Sequence, residues 1–240
     1  ILFVNSVCGI RSTGRIVTDA AEEYMAKGHK VSVAFGREEA PEKYRDISYK
    51  IGLDKKVIIN GIKARIFDNE GFNAKKETKE FIEFANKFNP DVLWLHNIHG
   101  YYINIEMLFN WIKSRPQMEV KWTLHDCWAF TGHCSHFDFV GCEKWKNGCS
   151  NCIQKKAYPT SLIFDNSKNN YEKKKELFCG VKRMTILTPS QWLKNKVEQS
   201  FLKEYPIVVL HNSIDKNSFK PTESDFRKKY NCEGKYILLG

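Results

Sequence analysis

No stretch of this sequence approaches eighteen consecutive apolar residues, and its amino end carries neither a basic segment before an apolar core nor a small-residue cleavage site. A membrane-spanning helix and a secretory leader are therefore not expected. A GxGxxG fingerprint is missing, and so is the lysine of a phosphate-binding P-loop, which removes the usual signatures for NAD and ATP. Zinc-finger and helix-turn-helix spacings are absent. Aromatic and basic residues do not interleave on any strand that reads as an RNA platform, so no nucleic-acid partner is expected.

What is present is a 240-residue chain that is 42% apolar, enough for one large core and the start of a second domain. A net charge of +10 implies attraction to something anionic: a sugar nucleotide, a phospholipid, an acidic glycan or a nucleic acid. Eight cysteines in a chain that is neither small nor leader-bearing read as reduced thiols of a cytoplasmic protein, some of them metal-bound, in preference to a disulfide framework.

Five of those cysteines fall in one segment, TLHDCWAFTGHCSHFDFVGCEKWKNGCSNC, between Thr123 and Cys152. A surface loop has no evident packing reason to collect thiols, imidazoles and indoles so densely, so the segment is expected to wrap a metal or line a site. Gly148-Cys149-Ser150-Asn151-Cys152 is a CxxC knuckle, half of a tetrahedral zinc centre, and Cys134 and Cys142 are the candidates for its other half. Such a closed centre would fold the loop and activate no water. The spacing is irregular, and four unligated thiols or an oxidised pair fit it equally well.

Strand and helix patterns alternate along the chain. Apolar runs at 1–5, 30–35, 91–95, 120–124, 184–187 and 207–210 read as strands. Helical stripes are expected at 14–27, 78–88, 103–113, 169–178 and 190–202. Ser12 or Thr13 is expected to cap the first helix and Gly28 to close it. Residues 38–71 are left as irregular chain with one or two short strands. The fold class is α/β: a Rossmann-like parallel sheet covered by helices on both faces. In such sheets ligands bind beyond the carboxyl ends of the strands, and the chemically loaded loops all follow strands.

Three of those loops carry the candidate residues. Cys8–Arg15 places Gly9 and Gly14 around a tight turn, with Ser12, Thr13 and Arg15 at a helix start, an arrangement suited to a diphosphate. His96-Asn97-Ile98-His99-Gly100-Tyr101-Tyr102 offers imidazoles and an amide for hydroxyl groups, and tyrosines as faces on which a sugar can stack. His125 ends a buried strand as a candidate base or hydrogen-bond donor. Asp126 follows it, but adjacent side chains on a strand point apart, so a dyad between those two is not assumed.

Taken together, VNSVCGIRSTGRI, RIFDNEGF, DVLWLHNIHGYYIN, TLHDCWAFTGHC with GCEKWKNGCSNC, TPSQWL and HNSIDKNSF resemble the amino-terminal half of a GT-B family 4 glycosyltransferase of the colanic-acid, capsular or O-antigen polysaccharide type. The resemblance implies one half of a GT-B architecture: an acceptor-side domain at 1–215 with a Cys/His-rich insertion at 125–153, a linker at 216–234, and at 235–240 the first strand of a donor-binding domain. It also implies a retaining transfer with no cofactor required for catalysis. The donor would be a UDP- or GDP-sugar and the acceptor lipid-linked or a saccharide, at the cytoplasmic face of an anionic membrane. By motif match, Gly9, Ser12, Thr13, Gly14 and Arg15 approach the donor diphosphate. His125 sits at the reacting centre, and His96, Asn97, His99, Tyr101, Tyr102 and Asp126 line the acceptor side. The family's paired glutamates lie beyond Gly240, so the fragment alone is expected to be inactive. Two rivals are a zinc-stabilised nucleic-acid-binding module and a Rossmann oxidoreductase.

Overall fold

Short apolar runs build the centre of the sheet. Strands β1 (Leu2–Asn5) and β2 (Ser32–Phe35) are buried at every position, as strands covered on both faces must be. In the computed structural model, which describes residues 1–217 and 219–238, they lie parallel, Leu2 opposite Ser32 and Asn5 opposite Phe35. Strands β3 (Ser48–Lys50), β4 (Val92–Leu95), β5 (Glu119–Thr123), β6 (Met184–Thr188) and β7 (Ile207–Val209) complete an all-parallel sheet in the order β3-β2-β1-β4-β5-β6-β7. The chain starts in the middle at β1, grows outward to β3, then returns to lay β4 on the other side of β1.

Side-chain alternation divides the core between two faces. Leu2, Val4, Leu93 and Leu95 point into a large cluster with Phe81, Phe109 and Phe178, covered by helices α3 (Lys75–Phe88), α4 (Ile105–Lys113) and α5 (Ser167–Phe178). Phe3, Val33 and Trp94 point the other way and meet Val17 and Ala21 of helix α1 (Arg11–Ala26). This is the doubly covered α/β sheet expected from the sequence.

Helix α1 begins three residues earlier than its apolar stripe suggested. Ser12 and Thr13 therefore lie inside its first turn and do not cap it; Ile10 holds the cap position, with no side-chain hydrogen bond. Gly28 closes it as expected: at φ +85° it donates to Met25 O, while the next amide, His29, donates to Tyr24 O, the paired bonds of a Schellman stop. Residues 38–71 hold more order than expected. Beside β3, they form a full helix, α2 (Asp54–Phe67). Helix α6 (Gln191–Val197) starts on Ser190, whose hydroxyl accepts from Leu193 N–H, and stops short of Leu202.

The Cys/His-rich lobe contains only single 3-10 turns, and it has an aromatic core of its own. Phe137 stacks on Trp145 at 4.8 Å, and Phe130 tilts against Trp145 at 5.5 Å. Packing thus accounts for aromatics in this loop that composition alone had pointed toward a ligand. From 211 onward the described residues are almost wholly exposed, and among them is one short helix, α7 (Phe226–Lys229). Residues 235–238 of the expected final strand form no regular element, and Leu239 and Gly240 lie outside the described residues.

Candidate functional site at the carboxyl edge

The end of β1 joins the first two candidate loops through one buried side chain. Asn5 donates through Nδ2 to Val7 O (2.8 Å) and to Thr13 Oγ1 (3.4 Å), and its Oδ1 accepts from Asn97 N–H (3.2 Å). The glycine loop and the His96–Tyr102 loop are therefore held side by side where the sheet reverses its strand order, between β1 and β4. That switch point is where a parallel sheet opens a crevice.

The β4 and β5 loops meet through histidines. His96 Nδ1 lies 3.0 Å from His125 Nε2, and the rings stack with centroids 5.3 Å apart. Burial pushes His96 well below its usual pKa, with His125 adding to the shift, and burial brings His125 down to about 4. Both rings are thus neutral at pH 7 and share one proton along their contact. Nδ1 of the half-buried His125 is left with no partner among the described residues, free to donate or accept according to which ring holds that proton.

Asp126 turns away from His125, as expected, and pairs elsewhere: its Oδ2 lies 3.0 Å from His99 Nε2, and its Oδ1 accepts from Trp128 N–H. Burial works against both charges, yet the pair wins. His99 is raised above the ordinary histidine value chiefly by Asp126, and Asp126 is held below the ordinary carboxylate value by His99 and the Trp128 amide. Tyr158 OH reaches His99 Nδ1 at 3.3 Å.

Two groups that sequence reasoning missed stand behind this pair. Glu70 is buried, accepts Gly100 N–H at 2.9 Å, and keeps Oε2 without a partner among the described residues; burial raises its pKa. Lys174 is also buried. Its ammonium donates to Trp128 O (2.9 Å) and Thr131 O (3.2 Å) and sits 3.4 Å from the Trp128 ring centroid, with burial lowering its pKa to about 7. Signals for both existed. Glu70 falls in the RIFDNEGF motif, and Lys174 stands three residues after Tyr171 and four before Phe178, on the helix face that α5 buries.

The remaining expected residues divide. Gly9 adopts φ +68° with the Tyr44 ring 2.7 Å from where a Cβ would stand, and its amide bonds Gly14 O. Gly14 lets the helix approach Val7 closely, while Ser12 and Arg15 are exposed. Tyr101 is half-buried at φ +73°, its carbonyl accepting from Asn60. Tyr102 corrects the expectation of a sugar-stacking face. It is fully buried, its ring fills the space over Gly36, and its hydroxyl is bound to Asn97 O.

The four knuckle-region cysteines line one cavity together with His133. Cys149 Sγ accepts from Gly132 N–H, and Cys134 hydrogen-bonds Cys152, whose pKa it helps lower to about 7. Among the described residues, however, no group of three or more His, Cys, Asp or Glu side chains is arranged to hold a metal ion. His133 pairs instead with the buried Asp68 at 2.5 Å. A roomier cleft of about 300 Å³ opens at the opposite edge of the sheet, around Ile1, Lys30 and Asp91, and gathers none of the candidate residues.

No family model matches the chain. Over 133 residues it is 32% identical to the putative colanic acid biosynthesis glycosyl transferase WcaC of Escherichia coli (strain K12). That match takes in 53% of this chain and 32% of that protein, so the chain is similar to about a third of its relative's length.

Proposed function

We propose that this chain is the acceptor-side part of a glycosyltransferase that moves a sugar from a UDP- or GDP-sugar to a lipid-linked or saccharide acceptor in bacterial cell-surface polysaccharide synthesis. The reading is of a GT-B, retaining, metal-independent enzyme whose donor site is completed by a second domain, and which meets its acceptor at the inner face of the plasma membrane. Similarity to the colanic acid glycosyl transferase supports the reaction class. The observation that carries the site is the joining of the β1, β4 and β5 loops at the strand-order switch, through Asn5 and the His96–His125 contact.

Sugar transfer develops positive charge at the anomeric carbon and negative charge on the leaving diphosphate, so it needs oriented reactants and donors aimed at the phosphates. The start of α1 has no acidic residue in its first turn and no side-chain cap, so its amides are available to an anion. His125, neutral and fixed by His96, offers Nδ1 to a sugar hydroxyl beside the reacting carbon. The His99–Asp126 pair fixes an imidazole against a carboxylate on the acceptor side, with Tyr158 and Glu70 holding that loop in place.

Removing a polar contact of this kind costs about 2–4 kcal/mol in the transition state. In the full-length enzyme, His125→Ala is expected to lower kcat at least tenfold with the fold retained, as read from an unchanged circular dichroism spectrum. A near-normal kcat would reject the role given to His125.

A further inference from the structure

A fourth strand end brings a cation to the same edge. Just after β2, the amides of Gly36 and Arg37 both donate to Ser6 O, at 3.2 and 2.9 Å, which pins this end of β2 to the end of β1. The Arg37 side chain is half-buried, and among the described residues its guanidinium makes no ion pair and no hydrogen bond. Acidic residues near it in sequence are engaged elsewhere. Glu38 pairs with Arg11 at 2.6 Å, and Glu39 and Asp54 both pair with Lys50. Withdrawing a charge from water without a counter-ion is costly, so a half-buried, unpaired arginine in a crevice points to an anionic ligand.

The surroundings of the guanidinium suit such a ligand. It lies across Gly100, its Cδ and Nη1 each 3.6 Å from where a Cβ would stand. Two phenols stand close by. Tyr101 is half-buried, and its hydroxyl makes no hydrogen bond among the described residues. Tyr158 is half exposed, with its hydroxyl turned in to His99 Nδ1. Burial of the hydroxyls keeps both protonated, Tyr101 pushed up to about 12, and Arg37 is near enough to each for its charge to work against that rise. The closest carboxylates are occupied: Glu70 accepts the Gly100 amide, and Asp126 faces His99. A guanidinium fork beside phenolic donors is the chemistry that grips a carboxylate or a phosphate.

We propose that Arg37, with the hydroxyls of Tyr101 and Tyr158, seats an oxyanion carried by the acceptor sugar, a carboxylate or a phosphate, and so selects charged acceptors over neutral ones. Position supports the acceptor as its bearer. Through His99 the seat adjoins the small cavity that His99, His125 and Asp126 line together, so one sugar can place its charged group at Arg37 and a hydroxyl toward His125. The donor diphosphate already has amides free for it at the start of α1, whereas no other unpaired cation among the described residues is named on the His99 side. Calling the ligand an acceptor rests on the glycosyltransferase reading; the binding of a charged sugar does not.

The test titrates the 240-residue chain with glucose, glucuronate and glucose 6-phosphate (one ring carrying no charge, a carboxylate or a phosphate) and follows the tyrosine ring signals by NMR. At least one charged sugar is expected to bind at least about tenfold more tightly than glucose, and the tighter of the two identifies the anion. Arg37→Gln should abolish that advantage while leaving glucose binding and the circular dichroism spectrum unchanged. Tyr101→Phe should weaken the charged sugar alone, in the same sense. Excess UDP should not displace the charged sugar, since displacement would give Arg37 to the donor. Equal affinity for all three sugars, no binding of either charged one, variants that bind as wild type does, a loss shared equally by glucose, or displacement by UDP would each overturn the proposal. None of these readouts involves sugar transfer, so a failed titration leaves the proposed reaction standing, and a failed transfer leaves the oxyanion seat standing.

Discussion

A histidine held neutral by burial carries a cost that shows as acid sensitivity. The folded pKa of His125, about 4, lies below its ordinary value of 6.5. Between those limits the unfolded chain binds the extra proton, so stability is lost as pH falls through that window, on the order of 3 kcal/mol. His96 shifts in the same direction, whereas His99, raised by Asp126, contributes oppositely: its share is present in acid and lost as pH rises through its folded pKa. Urea unfolding between pH 4 and 7 is expected to show a shallower stability slope for His125→Gln than for wild type; equal slopes would mean that His125 titrates normally. Asp126→Asn removes the charge that stabilises protonated His99. Nitrogen-15 shifts of that ring should then report a pKa below the wild-type value, and an unchanged one would remove the pairing. At this scale the histidines were legible because a strand end delivers each one. Glu70 and Lys174 were not, because one sat in chain judged irregular and the other in a lysine run that resembles a solvated face.

Elements were readable where apolar residues fell on one side only. Helices α3 and α4 keep a single stripe, Phe81 and Ala85 or Leu108 and Ile112, and their positions were close to those expected. Helix α2 was missed for a physical reason: its inward face is small and partly polar, its outward face is isoleucine, and the Asn60-Gly61 pair at its middle reads in sequence like a turn although the helix runs through it. The lobe between β5 and α5 posed the reverse problem, since its aromatics serve packing. Lys174 ties that lobe to α5 through two carbonyls and the Trp128 ring. Lys174→Ala is expected to destabilise the protein by about 2–4 kcal/mol, measurable as an earlier urea midpoint; a loss below about 1 kcal/mol would mean that the lobe is held by its own core. At the end of β2, a Cβ on Gly36 would stand 1.9 Å from the Tyr102 ring. Gly36→Ala should therefore cost about 3 kcal/mol or more, and a variant of wild-type stability would contradict the placement of Tyr102.

For the whole molecule, the order of strands decides which loops meet. Because β4 returns beside β1, three loops distant in sequence share one edge, and their side chains are joined there by Asn5 and by the paired histidines. That architecture was legible in the sequence as alternating strands and helices with polar loops after the strands. Which loops touch was not, since pairing order is set by packing of whole elements. The central claim is that this edge belongs to a sugar-transferring site. Its most direct test is to incubate the full-length protein with radiolabelled UDP- and GDP-sugars and a bacterial lipid extract, then measure label in the organic phase and in polysaccharide. The account predicts transfer of label from one of these donors, reduced at least tenfold by His125→Ala. A folded full-length protein that transfers no label from any of them, or transfers it equally well without His125, would contradict the account.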